Sequence, residues 1–217
     1  MYIMKIQKIK NRSVLFTKTM PAGWDLNLHL ILGDRYNYMI DTGLGSATIA
    51  HIKDYIKHDN KPVIVINTHY HWDHIWGNHC FRGSTIVSHQ RTRKMIELHW
   101  EEMLQKNKQF LDGETEMLLP HLTFEDELYF PEDKIRLFFT PGHTVDSISV
   151  IDEVDKVINV ADNVGDSLDD IVPSLKSDKE EYINTLLKYR EIDFDTCLSG
   201  HNVILDKHVI EQILNRL

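Results

Sequence analysis

Thr68-His69-Tyr70-His71-Trp72-Asp73-His74 follows directly on the apolar run Val63-Ile64-Val65-Ile66. Three imidazoles and a carboxylate thus crowd into six positions at the end of what reads as a short buried strand. Imidazole nitrogen and carboxylate oxygen are the ligands that borderline divalent metals such as zinc prefer. A helical site would space its histidines four apart. His69 and His71 are two apart, on opposite sides of any helix, but both can turn inward from an irregular loop. The spacing predicts a ligand loop at a strand end, where open sheets usually bind their ligands.

The rest of the chain supplies strands and helices around that loop. Residues 2–9, 12–19, 26–32 and 35–40 read as successive strands, with Gly33-Asp34 as a tight hairpin turn. A helix is expected over 45–58, a strand near Thr85–Ser88 and a long helix over about 89–110. The second half gives strands at Lys134–Thr140, Ser147–Asp152, Lys156–Ala161 and Thr196–Ser199, a helix near 178–190 and a last helix from about 206. No linker or low-complexity stretch interrupts this order, so residues 1–217 are read as one domain. Strand meanders with helices in both halves predict two packed sheets with helices outside.

Three further candidates each follow a predicted strand: His143 in Pro141-Gly142-His143-Thr144, Asp162 after Val157–Ala161, and His201 in Ser199-Gly200-His201. Glycine before each histidine permits a sharp turn that aims the side chain over the sheet edge. Asp166 competes with Asp162 for the carboxylate role; the strand-end position favours Asp162.

Taken in order, His69-x-His71-x-Asp73-His74, His143, Asp162 and His201 resemble the metallo-β-lactamase superfamily of metal-dependent hydrolases, and Asp41-Thr42-Gly43 extends the resemblance upstream. It implies a mixed α/β, four-layer αββα sandwich. It also implies a dinuclear site, with His69, His71 and His143 on one metal, Asp73, His74 and His201 on the other, and Asp162 bridging. Asp41 would brace the ligand loop from behind. The implied cofactor is two zinc ions per chain, with iron or manganese as alternatives. A metal-bridging hydroxide, oriented by Asp73, would attack a small ester, thioester or lactone.

Departures from the pattern narrow the activity. A carboxylate stands at the bridging position where many true β-lactamases carry cysteine or serine. The sequence ends shortly after His201, so the helical glutathione-binding domain of glyoxalase II is not expected. A sulfur-dioxygenase-like iron oxidoreductase is the alternative, with phosphodiesterase and β-lactam hydrolase activities further back. Asp146 replaces a small residue and is expected to add a carboxylate near one metal.

Residues 90–119 have two readings. The plainer is a helix packed on the body through Met95, Leu98, Met103 and Leu104; the other is a lid carrying Arg91 or Arg93, with Trp100 and Phe110 reaching a pocket. Tyr70 and Trp72 are expected to support the pocket. His79, His89, His99 and His121 are expected at the surface or pocket wall, and Cys80 and Cys197 as small packing groups.

A net charge of −9 argues against a nucleic-acid surface, and a small-molecule substrate is expected instead. No stretch reaches the roughly 18 apolar residues of a membrane span. The N-terminus alternates charged and apolar residues, unlike a signal peptide, so the cytoplasm is the expected location.

Overall fold

In the computed structural model, which describes residues 4–21 and 23–217, period-two alternation sorts the apolar side chains into three layers of packing. The first sheet runs β1 (Met4–Lys8), β2 (Ser13–Thr19), β3 (Asp25–Leu32), β4 (Asn37–Ile40), β5 (Val63–Asn67), β6 (Thr85–His89) and β7 (Leu122–Phe124) in that spatial order. The second runs β13 (Leu205–Asp206), β12 (Thr196–Leu198), β11 (Val157–Asn159), β10 (Ile148–Asp152), β9 (Ile135–Phe139) and β8 (Glu127–Phe130).

Tyr38, Ile40, Ile64, Ile66 and Val87 of the first sheet meet Ile135, Leu137, Ile148 and Val150 of the second, and this is the central core. The residues between them in sequence face the other way. Met39, Val65 and Ile86 join Ile49 and Ile52 of α1 (Ser46–Tyr55). Phe138, Ile151 and Ile158 join Tyr182, Leu186 and Tyr189 of α4 (Lys179–Glu191) and Val209, Ile210 and Ile213 of α5 (His208–Leu214). Helix, sheet, sheet, helix is therefore written into the alternation, as expected for strands buried on both faces.

Several expectations shift. The predicted first strand begins two residues beyond the described range, which starts at Met4. The turn after β3 is a four-residue loop, not a tight two-residue hairpin, because Leu32 pairs with Asn37. It wraps around Asp133, whose carboxylate accepts the backbone N–H groups of Asp34, Arg35 and Tyr36. The short edge strands β7 and β8 were not anticipated. Strand β11 stops at Asn159, and residues 161–163 form a single 3-10 turn.

The long helix α3 (Gln90–Asn107) is a packing helix whose buried face includes the expected Met103 and Leu104 but not Leu98. Ile96, Trp100 and Met103 pack on Ile75 and Trp76, whereas Leu98 is 74% exposed. Arg91 and Arg93 donate to the carbonyls of Val145 and Pro120. Among the described residues no helix is long and apolar enough to cross a membrane.

Candidate metal centre

Strands β4, β5 and β6 run parallel, as do β11 and β12. Asp41 follows the end of β4, the His69–His74 segment follows β5, and His201 follows β12, so distant stretches of chain deliver polar side chains to one rim. The 68–74 segment is only partly irregular: residues 68–71 form the loop, and α2 (Trp72–Ile75) is a single helical turn carrying Asp73 and His74.

The histidines converge closely. His71 Nδ1 lies 3.1 Å from both His69 Nε2 and His143 Nε2. His201 Nε2 is 3.4 Å and His74 Nε2 3.7 Å from Asp73 Oδ2. Asp162 Oδ2 sits between the two groups, 3.5 Å from His69 Nε2, 3.7 Å from His143 Nε2, and 3.3 Å from both His74 Nε2 and His201 Nε2. These seven side chains form two clusters whose ligand atoms lie within 4.8 Å of one another. A tetrahedral ion bonded at ~2.0–2.1 Å to nitrogen holds its ligand atoms about 3.4 Å apart, so the spacing fits a metal cage. Asp162 Oδ1 and His74 Nε2 are buried without hydrogen-bond partners, as unfilled ligand atoms would be. Asp166, the competing carboxylate, is exposed and belongs to neither cluster.

What lies behind the ligands fixes their aim. Asp41 accepts the Thr68 backbone N–H at 2.8 Å and the Thr68 hydroxyl at 2.7 Å, and lies 2.8 Å from His74 Nδ1. Because the Thr68 hydroxyl donates to Asp41, it accepts from His69 Nδ1 at 3.1 Å. His143 Nδ1 donates to the Ser174 carbonyl at 2.9 Å and His201 Nδ1 to the Asp25 carbonyl at 2.8 Å. A proton held on Nδ1 leaves the Nε2 lone pair facing the centre. Asp41 and Ala161 adopt positive φ, 61° and 50°, at two hinges of the site. Such strain in non-glycine residues collects where function requires a particular geometry.

The glycines act differently from expectation. A Cβ on Gly200 would lie 2.2 Å from Asp162 Oδ1, and one on Gly142 2.4 Å from Asn163 Oδ1. Close approach, not an unusual turn, demands them.

Electrostatics point to the same centre. Burial works against charge on every group here, yet the Asp162, Asp41 and Asp73 carboxylates hold the His74 imidazole well above its usual value. His201 is raised in the same way, chiefly by Asp162 against its burial. Burial and the neighbouring His74 push His69 well down, and burial and His143 bring His71 to about 4. Asp162 stays ionised well below the ordinary carboxylate range, because His74 and His201 outweigh its burial. The cluster is built for concentrated positive charge.

Some other residues fall where the sequence did not put them, whereas the two cysteines pack as expected. Asp146 is buried beneath Tyr70, against Thr92 of α3, and is in neither cluster. Trp100 is core. His89 is buried and stacked on Phe139, with ring centroids 4.2 Å apart. Cys197 is buried in the core and Cys80 half-buried, and both are free thiols. Phe110 stacks on Trp72 at 5.2 Å, and Trp24, on the loop between β2 and β3, meets both. Trp24 also packs edge-on to His201 at 5.3 Å, giving the second cluster an aromatic wall. No sequence spacing flagged Trp24. The Ser174 and Asp25 carbonyls were equally invisible, since any residue supplies a carbonyl.

Comparison with known proteins decides the family: residues 24–201 match the model of the metallo-beta-lactamase superfamily. The chain belongs to that superfamily. Among curated relatives, an N-acyl homoserine lactonase of Bacillus thuringiensis is 27% identical over 153 residues, covering 66% of this chain and 57% of the lactonase. A probable metallo-hydrolase of Methanocaldococcus jannaschii is 30% identical over 145 residues, covering 66% of this chain and 59% of its own length. The matched region therefore spans under two thirds of these relatives. The DIM-1 metallo-beta-lactamase structure superposes with a TM-score of 0.77 at 17% identity, covering 98% of this chain and 95% of that one. A metallo-beta-lactamase from Pontibacter korlensis gives 0.75 at 18%, with 99% and 100% covered. At these identities the superpositions establish the metallo-β-lactamase fold.

Proposed function

We propose that this metallo-β-lactamase-fold protein is a dinuclear zinc hydrolase of small esters, thioesters or lactones. His69, His71 and His143 would hold one ion and Asp73, His74 and His201 the second, with the Asp162 carboxylate available to both sets. One observation carries the reading: a single oxygen, Asp162 Oδ2, stands 3.3–3.7 Å from four histidine nitrogens drawn from both clusters. A divalent pair supplies water activated near neutral pH and an electrophilic contact for the substrate oxygen.

The chain's own residues do the rest. Asp73 is held ionised by His74 and His201 in spite of its burial, so it can accept a hydrogen bond from the attacking water and orient it. The Nδ1 anchors keep the imidazoles from swinging as charge develops. The Trp24–Trp72–Phe110 wall excludes water beside His201 and offers an apolar surface to the substrate's carbon skeleton. Lactones rank first because curated relatives are named lactonases. A carboxylate, not a thiol, occupies the bridging position, which sets β-lactams lower.

Protein purified without added metal should carry close to two zinc per chain and hydrolyse members of an ester, thioester and lactone panel. Chelation should abolish turnover and zinc restore it. One iron per chain with oxygen consumption on persulfides would overturn the reading. Asp162→Ala should lower zinc content and turnover together; full activity with both ions retained would refute its bridging role.

A further inference from the structure

The loops that carry His143 and His201 are each clasped by a buried asparagine that belongs to neither cluster. Asn163 is fully buried, and its amide spends every polar atom on its neighbours. Oδ1 accepts the His143 backbone N–H at 2.9 Å, while Nδ2 donates to the Thr140 carbonyl at 2.8 Å and the Tyr189 hydroxyl at 2.9 Å. Having accepted from Asn163, Tyr189 donates its own proton to Ser149 Oγ at 2.6 Å. The amide is thereby fixed between the end of β9, β10 and α4. Asn27 of β3 grips the other loop. Its Nδ2 donates to the Ser199 carbonyl at 3.1 Å and the Asn202 carbonyl at 2.7 Å, one on each side of His201. Its Oδ1 accepts from the Thr17 hydroxyl at 2.8 Å, and its backbone N–H donates to the Gly200 carbonyl at 2.7 Å.

The two clasps act on different ligands. Asn163 holds the loop of His143, which meets His71 in the first cluster, and Asn27 holds the loop of His201, which meets Asp73 in the second. Asp162, shared by both sets, does not depend on the Asn163 side chain. Its backbone is pinned from elsewhere, by Val160 N–H on the Leu198 carbonyl at 2.9 Å and Gly200 N–H on the Ala161 carbonyl at 3.0 Å. A buried amide with all its bonds made has one favourable setting, and its loss leaves buried partners unpaired. The loop then relaxes, and an imidazole displaced by more than ~0.2 Å leaves the range of a good metal–nitrogen bond.

We propose that Asn163 and Asn27 are positioning residues, each setting the affinity of one metal ion. Asn163 governs the ion of His69, His71 and His143, and Asn27 the ion of Asp73, His74 and His201. The proposal rests on the dinuclear reading above and concerns how the two ions are loaded, independently of what is hydrolysed.

The test uses the full chain, stripped of metal and titrated with zinc against a chromophoric chelator. Asn163→Ala should hold one zinc about 10–100-fold more weakly and the other within about threefold of the parent. Cobalt(II) then identifies the ion. With one equivalent bound to this variant, the paramagnetically shifted ring N–H signals of His74 and His201 should persist while that of His143 is lost. Asn27→Ala should give the reverse pattern. Tyr189→Phe removes only the hydroxyl behind Asn163, so it should reproduce the Asn163 pattern at about 3–10-fold, and it carries the test should the alanine variant not fold. Leu187→Gln, on the exposed side of α4, should change neither affinity. A merely structural amide would lower the stability of the metal-free protein without discriminating between the ions. Both ions weakened alike, or neither weakened in the folded variants, overturns the proposal and spares the hydrolase reading. The stated selectivity with no turnover on the ester, thioester and lactone panel overturns the hydrolase reading and spares the clasps. A parent chain that binds fewer than two ions overturns both.

Discussion

Asp146→Asn should stabilise this protein, and only above acidic pH. The carboxylate is fully buried and neither oxygen accepts a hydrogen bond. Burial raises its pKa to about 6, and the Thr144, Thr92 and Tyr70 groups around it pull the other way without cancelling that cost. The sign follows from linkage. A carboxyl whose folded pKa lies above its ordinary value of 3.8 carries no penalty while both states are protonated, and it loses stability as pH rises from about 4 through about 6. At 1.36 kcal/mol per unit, the penalty above pH 7 is about 3 kcal/mol. Asparagine keeps the shape and removes the charge. The variant should therefore be about 2–3 kcal/mol more stable than the parent at pH 8, with the gain shrinking to about 0.5 kcal/mol near pH 4. Urea unfolding of both proteins at matched zinc, across that range, measures the difference. With a slope of about 2–3 kcal/mol/M, the midpoint should move by roughly 1 M at pH 8. A gain of equal size at both ends of the range, or no gain at pH 8, would refute the idea that an ionised, unpaired carboxylate is the cause.

Three other outcomes follow from the geometry. His29 is fully buried with neither ring nitrogen bonded, and burial lowers its pKa to about 3, so folding weakens as pH falls from 6.5 toward 3; His29→Leu should remove about 2 kcal/mol of that loss at pH 5, read by the same unfolding assay. Gly200→Ala puts a methyl group against Asp162 Oδ1 and His74, so metal analysis should find fewer than two zinc per chain while far-ultraviolet dichroism stays native. Asp41→Asn removes the charged partner of His74, and competition with a chromophoric chelator should show zinc held about 10–100-fold more weakly.

The side chains that the structure brings together were legible in the sequence because the chemistry was concentrated. Imidazoles packed two and three positions apart have few other uses, and the later histidines sat on Pro-Gly and Ser-Gly turns that could be read directly. Strands buried on both faces gave long apolar runs and were legible for the same reason. The failures have a common cause in tertiary contacts. The loop after β3 is shaped by Asp133, about a hundred residues away, so its local Gly-Asp signal misled. Leu98 fits a helical apolar stripe, yet the stripe that packs is Ile96, Trp100 and Met103. Strands β7 and β8 are sheet edges, half-exposed and mixed in character, and carry little periodic signal. Trp24 gains its position beside His201 only when β2 and β3 pair.

The anchoring of His143 and His201 has a consequence for how such a scaffold diversifies. Both rings are aimed by main-chain oxygens, at Ser174 and Asp25, so the side chains at those two positions contribute nothing to the aim. Substitution at either position leaves the carbonyl, and with it the aim of the ring, in place. The architecture separates the part that must stay fixed from a border that is free to be rewritten.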